Sequence, residues 1–321
     1  DSQLIIYSDG PKSREHEEGV TAVRHYLAAG VQGFQSVQVV QRDRNWGLAA
    51  SVIEGVTRPL DEHDRVIVLE DDLLTSPHFL KYMNEALDRY VGNPEVICIH
   101  GWVWPIADEL PETFFLRGAD CWGWATWRHG WDLFENDAKV LLNELRQRQL
   151  TQEFDRDGSY PYMRMLENQI AGKVDSWAIR WHASAFVKGQ LTLYPGRCLV
   201  QNIGFDEWST HTGSETSVDH HTELATQPIR IAPIPLQENQ TMRFRIHKHL
   251  LQADMGSSQP GMAARLRGFW RKAFRKPSVV EWSGDFSSWQ AALAETSGYQ
   301  AGNILEKVKQ AMLKVRDGKA V

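Results

Sequence analysis

Apolar and polar positions alternate along the first hundred residues in short blocks. Leu4-Ile5-Ile6-Tyr7 is a short buried strand, ended by Ser8-Asp9-Gly10-Pro11, a strong turn signal. A helical stretch over about 15–30 follows, and Val37-Gln38-Val39-Val40 reads as a second strand. Asn45-Trp46-Gly47-Leu48-Ala49 opens a helix through about Val56, with Asn45 as its N-cap. Arg65-Val66-Ile67-Val68-Leu69 is the clearest strand of the chain, and it runs directly into Glu70-Asp71-Asp72. Ser76-Pro77 starts an amphipathic helix to about Tyr90, and Val96-Ile97-Cys98-Ile99-His100 is another strand. This alternation predicts an α/β fold, with a mixed, mainly parallel sheet and helices on both faces.

Beyond residue 100 the pattern changes. Residues 101–134 are rich in Trp and Gly and read as loops with short elements. Residues 137–170 read as helical, broken near Asp157-Gly158-Ser159-Tyr160-Pro161, and 174–186 and 191–200 read as strands. The polar stretch 201–221 reads as a loop. Gly256, Ser257, Ser258, Pro260 and Gly261 mark a linker. After it, Arg265, Arg267, Arg271, Lys272, Arg275 and Lys276 surround Leu266, Phe269, Trp270 and Phe274, which share one helical face. The chain thus divides into a domain over 1–253, a linker and basic amphipathic helix over 254–278, and a further segment over 279–321.

Composition narrows the function. Hydrophobic residues are 42% and charged residues 24%, enough apolar material for a sizeable core, so disorder is excluded as the dominant state. Lys+Arg 35 against Asp+Glu 41 leaves a net charge of −6, which argues against a nucleic-acid partner. Cys98, Cys121 and Cys198 are far apart and lack zinc spacing, which predicts a reducing, cytoplasmic compartment. No run of about 18 apolar residues and no signal peptide is evident. The start at Asp1 without Met and the abrupt end at Val321 read as a fragment of a longer protein. Thirteen tryptophans are unusual. Those at Trp102, Trp104, Trp122, Trp124, Trp127, Trp131, Trp177 and Trp181 either belong to a core or form stacking walls for sugar rings.

Glu70-Asp71-Asp72 carries the clearest chemistry. Three consecutive carboxylates at a strand end repel one another unless a cation sits there. In open α/β sheets, ligands bind at the C-terminal strand ends. Mg²⁺ or Mn²⁺ takes carboxylate oxygens and bridges to phosphates. Upstream, Asp9 can accept a hydrogen bond from a base or ribose, and Gly47 lets the backbone approach a phosphate or ribose closely. Asp175, between apolar stretches and before Trp177 and Trp181, reads as a partly buried carboxylate suited to general-base work, with Asp120 as the second choice. His211 follows late in the chain, while His220 and His221 read as solvated.

Taken in order, Ser8-Asp9-Gly10, Arg42 to Asn45-Trp46-Gly47-Leu48-Ala49, and Val66-Ile67-Val68-Leu69-Glu70-Asp71-Asp72 resemble the nucleotide-binding half of a GT-A fold glycosyltransferase. The similarity is to the N-acetylglucosaminyltransferase I-like group, which carries a Glu-Asp-Asp version of the Asp-x-Asp motif. It implies that Asp72 holds Mn²⁺ against the donor diphosphate. It also implies that Asp71 faces the donor ribose or sugar and that Glu70 contacts the donor, with Asp9, Arg42, Asn45 and Gly47 in the donor site. Gly118-Ala119-Asp120-Cys121-Trp122-Gly123-Trp124 is similar to the Gly-Trp segment beside the donor sugar, which implicates Trp122, Gly123 and Trp124. Val174-Asp175-Ser176-Trp177 is similar to a segment whose acid is the catalytic base. His211 matches a late histidine that completes the metal shell. The resemblance covers about residues 3–215, and the first strand and loop of that fold have no counterpart in this chain.

Residues from Trp282 onward resemble the start of a methyltransferase family over about 40 residues, without a methyl-donor loop. The expectation is therefore a metal-dependent, inverting glycosyltransferase, with Trp-rich loops at 102–131 and 177–181 shaping its acceptor site. Its partners are a nucleotide-sugar donor, a UDP-sugar first, and a glycan or lipid-linked acceptor for polysaccharide synthesis. A peripheral membrane contact through 265–276 competes with packing of that helix on the domain. Two other classes fit part of the pattern. One is a carbohydrate-binding module, which needs the tryptophans but not the triplet. The other is a nucleotidyl- or phosphotransferase using the same acids.

Overall fold

The computed structural model describes residues 2–204 and 222–255, in two compact units that meet in sequence at Gly55 and Val56. Residues 256–321, which carry the expected basic helix and methyltransferase-like segment, lie outside the described residues, as do 205–221 with His211, His220 and His221.

In the first unit, β1 (Gln3–Ser8) leads through a single 3₁₀ turn into α1 (Glu17–Ala28) and then β2 (Ser36–Gln41). The strands pair in parallel, with Leu4 opposite Val37 and Tyr7 opposite Val40. Arg24 of α1 ties the crossover to the strand ends, donating from Nη2 to the carbonyls of Ser8 (3.3 Å), Asp9 (3.2 Å) and Arg42 (2.7 Å). α2 (Leu48–Glu62) follows and carries the chain past Gly55.

The second unit continues with β3 (Arg65–Val68), β4 (Leu73–Thr75), α3 (Phe79–Tyr90), β5 (Val96–His100), β6 (Thr113–Arg117), β7 (Trp124–Trp127) and α4 (Arg128–Trp131). Then come α5 (Ala138–Gln147), α6 (Thr151–Phe154), α7 (Tyr162–Ile170), α8 (Trp177–Val187), β8 (Leu191–Pro195), β9 (Val200–Asn202) and α9 (Gln240–Met255). β5 and β8 are buried at every residue, so they show an unbroken apolar run rather than alternation. α3 turns Phe79, Tyr82, Met83, Ala86, Leu87 and Tyr90 to the core, one stripe at helical spacing. Full burial of a side chain such as Leu87 stabilises by about 1.5–3 kcal/mol. A second apolar cluster joins α5, α6, α7 and α8 through Leu141, Leu145, Phe154, Leu166 and Phe186.

The α/β class stands, but two expectations need correction. The sheet is mixed, as expected, but it is mainly antiparallel rather than mainly parallel. Its order is β3-β7-β5-β8-β6, and only β5 and β8 pair in parallel. β3, β5 and β8 share a direction, but β7 inserts antiparallel between β3 and β5, and β6 runs antiparallel along β8. β7 is four residues long and lies in the Trp/Gly stretch that reads as loops with short elements, too short for a periodic signal that would give its direction.

The second correction is 174–186, which is not a strand: α8 covers Trp177–Val187, capped by the Ser176 hydroxyl accepting from the Ile179 N–H at 3.4 Å. Nearly every residue of α8 is buried. A helix without a polar face has no 3.6-residue rhythm to read.

Candidate functional site

The loop after β1 in the first unit is built around the Asp9 carboxylate. Asp9 accepts from the backbone N–H groups of Gly10 (2.9 Å), Trp46 (3.0 Å to each oxygen) and Gly47 (3.1 Å). It therefore caps the N-terminal end of α2 from another segment, where the helix leaves donors unsatisfied. Asn45, expected as the cap, instead donates from Nδ2 to the Gly10 carbonyl at 2.9 Å. Gly10 is held so tightly that a Cβ there would sit 2.3 Å from the Arg44 carbonyl carbon. Gly47 has φ +79°, the left-handed region that favours glycine.

Arg42 is buried. It donates to the Ser51 hydroxyl and, at 2.7 Å, to Glu54, and its guanidinium stacks on Trp46 4.2 Å from the ring centre. Asp9 and Arg42 thus direct their polar groups to the loop itself. What the loop presents is a depression of about 310 Å³ lined by Arg44, Asn45, Trp46 and Ala50. Trp46 is 43% exposed.

The acidic triplet lies in the second unit, immediately after β3. Burial, and then the charges of Asp72 and Asp71, push the Glu70 carboxyl up from 4.5 to about 8. The triplet is therefore frustrated as the sequence predicts, and Glu70 answers by holding a proton. Asp72 is pinned by the antiparallel pair β4–β9: the Ile203 N–H donates to its carbonyl at 2.8 Å, and Asn202 Nδ2 donates to Oδ2 at 3.3 Å. A Cβ on Gly204 would lie 2.5 Å from that same Oδ2. The oxygens are of the hard kind that Mg²⁺ or Mn²⁺ takes. Among the described residues they do not converge with a third donor into a complete ligand set. His211 lies outside the described residues.

Asp120 stands beside the triplet. Its side chain is 25% exposed, its Oδ2 accepts from the Tyr194 hydroxyl at 3.2 Å and its Oδ1 from the Cys121 N–H at 2.9 Å. The Cys121 thiol is pushed well above its ordinary value by burial, then by Asp120, Glu70 and Asp72, so these carboxylates share one neighbourhood. Two histidines support this loop. His100 is buried and its proton affinity lowered by that burial; Nε2 accepts from the Trp122 N–H at 3.1 Å. His182 is pushed down to about 4 by burial and by Arg156, so it is neutral and donates from Nδ1 to the Ala119 carbonyl at 2.6 Å. Gly118, at φ +100°, packs so closely on the His182 ring that a Cβ would fall 2.5 Å from its Cε1.

Asp175 differs from expectation. It is not partly buried: its carboxylate is 71% exposed and pairs with Arg180 Nη2 at 2.9 Å, on the turn before α8. Trp124, expected at the donor, is fully buried, with Trp177 stacked on it at 5.4 Å and Trp181 tilted against it at 5.7 Å. Trp102, Trp104, Trp127, Trp131, Trp177 and Trp181 are also core residues, so the expected aromatic walls of the acceptor site reduce to the half-buried Trp122. Gly123 serves packing, since a Cβ would meet Val200 Cγ1 at 2.5 Å. Asn202, Tyr194, His100, His182 and Arg156 belong to the site without any signal in the sequence. Each reaches it from a different element.

No protein-family model matches the chain, and no curated protein matches its sequence. Among the described residues no helix is long and apolar enough to cross a membrane.

Proposed function

We propose that this chain is a metal-dependent, inverting glycosyltransferase of the GT-A type, acting in glycan or polysaccharide synthesis. It moves a sugar from a nucleotide-diphosphate donor, a UDP-sugar, to a hydroxyl of a glycan or lipid-linked acceptor. The observation that carries the reading is the placement of Glu70-Asp71-Asp72 directly after β3, where burial and the charges of Asp72 and Asp71 push the Glu70 carboxyl up. Carboxylates held together at that cost to their ionisation favour a divalent cation between them and a phosphate. The shared direction of β3, β5 and β8 puts the triplet at a C-terminal strand end, where α/β sheets bind ligands.

Asp72 would hold Mn²⁺ or Mg²⁺, with His211 as a further ligand. The ion, when bound, supplies positive charge to the departing diphosphate. Asp120 is the better placed base, because it lies among the same carboxylates as Glu70 and Asp72. It takes the proton of the acceptor hydroxyl, whose oxygen bonds to the anomeric carbon as the bond from that carbon to the diphosphate breaks. Attack from the opposite face inverts the sugar carbon.

Isothermal titration with UDP, with and without Mn²⁺, tests the reading. Binding is expected only with the metal, and Asp72→Asn is expected to abolish it while the circular dichroism spectrum is unchanged. UDP binding that ignores both metal and Asp72 would remove the metal assignment, and sugar binding without any UDP binding would favour a carbohydrate-binding module. Release of the sugar 1-phosphate from a UDP-sugar, instead of UDP, would indicate a nucleotidyltransferase.

A further inference from the structure

The turn between α6 and α7 holds a cation that the proposed chemistry does not use. Arg156 is 7% exposed, and its Nε and Nη2 are both buried without a hydrogen-bond partner. These two nitrogens form one edge of the guanidinium, the edge whose parallel N–H groups match the two oxygens of a carboxylate. No carboxylate among the described residues forms an ion pair with Arg156. Its neighbours are aromatic: the guanidinium lies 4.9 Å from the Trp104 ring centre and 5.8 Å from that of Tyr162, and the Tyr162 hydroxyl hydrogen-bonds the guanidinium without satisfying Nε and Nη2. A buried, charged donor pair left unmatched is costly, and such pairs are rare in native proteins unless something else satisfies them.

The backbone is committed to this arrangement. Arg156, Asp157 and Gly158 have φ of 49°, 57° and 88°, three consecutive residues in the left-handed region. The Arg156 carbonyl accepts from the Ser159 hydroxyl at 2.8 Å and from His247 Nδ1 at 3.0 Å. Strain of this kind persists where the surrounding structure over-determines it, and it gathers at ligand sites. Tyr160 and Tyr162 adjoin the guanidinium, their rings are 4.5 Å apart, and both retain surface in solvent. Asp120, the proposed base, is near enough for its charge to act on Arg156, Tyr160 and Tyr162.

We propose that the Nε–Nη2 edge of Arg156 is a carboxylate subsite, close to Tyr162, that selects a sugar acid as the transferred sugar. This deepens the glycosyltransferase reading and rests on it for the word "transferred"; the subsite itself does not. A carboxylate fits better than a phosphate dianion. One guanidinium faces the subsite, the Asp120 charge is nearby, and His182 is neutral and adds no positive charge.

The test uses the ¹⁵N-labelled full chain and reads the Arg156 Nε–H resonance, assigned by its loss in Arg156→Lys. Sodium glucuronate at millimolar concentration is expected to shift this resonance, and glucose at the same concentration to leave it in place. A shift with inorganic phosphate but none with glucuronate overturns the carboxylate assignment, and no response to either overturns the subsite. Calorimetry with Mn²⁺ supplies the second arm. UDP-glucuronate is expected to bind the parent at least ~10-fold more tightly than UDP-glucose, the least a charge-assisted pair of hydrogen bonds provides. In Arg156→Lys the two are expected to bind alike. Equal binding by the parent overturns the selection of a sugar acid. If no UDP compound binds while glucuronate still shifts the resonance, the glycosyltransferase reading fails and the subsite stands.

Discussion

Glu70 is the residue at which sequence and environment conflict most sharply. Its carboxyl titrates at about 8 in the folded chain against an ordinary value of 4.5. Below pH 4.5 both folded and unfolded forms are protonated, and this group leaves stability unchanged. Between 4.5 and 8 the unfolded chain releases a proton that the folded chain keeps. Stability then falls with rising pH, by up to about 1.4 kcal/mol per pH unit, and levels off for this group above 8. Thermal melts of the metal-free chain from pH 5 to 8.5 should show this slope in the parent and lose it in Glu70→Gln. Parallel curves for the two proteins would mean that Glu70 is ionised like any surface carboxylate. A bound divalent ion should also flatten the parent's curve, because it favours the ionised carboxyl.

At the scale of elements, α2 owes its start to a residue 39 positions before its first turn. Asp9 gathers the N–H groups of Trp46 and Gly47 across the loop, where a local cap would have been Asn45. Asp9→Ala should destabilise the chain by about 0.5–2 kcal/mol, the usual cost of removing a cap. Asp9→Asn, which keeps one acceptor oxygen, should cost less. Urea unfolding of the two variants measures the difference, and an unperturbed Asp9→Ala would show that the cap is dispensable. α8 teaches the converse. Its Ser176 cap is local and visible in the sequence, but the helix is apolar all round, so only the packing of Trp177, Trp181 and Phe186 against their neighbours separates helix from strand.

Across the second unit, the sheet decides which acid is near the triplet. β7 enters between β3 and β5, and the loop before it carries Asp120 and Cys121 to Glu70 and Asp72. Asp175 leads instead into α8 and is held by Arg180, whose Nη1 also donates to Asn136 at 2.7 Å. Asp120→Asn should therefore lower turnover by roughly 10²–10⁴-fold, the usual worth of a general base, with UDP affinity unchanged. Asp175→Asn should have a small effect. A large loss in Asp175→Asn alone would return the base to that position.

The amino-acid order alone determined β1, β2, β3 and β5, though not the three-residue β4, together with the stripe of α3, the break near Asp157 and the repulsion within Glu70-Asp71-Asp72. All are local: periodicity, turn chemistry and adjacent like charges act within a few residues. Tertiary structure decided the antiparallel insertion of β7, the buried helix α8, the burial of seven tryptophans that could have lined a surface, and the meeting of Asp120, Tyr194, His182 and Arg156. Those features depend on which faces meet across the sheet, and contacts between distant segments leave no periodic trace along the chain.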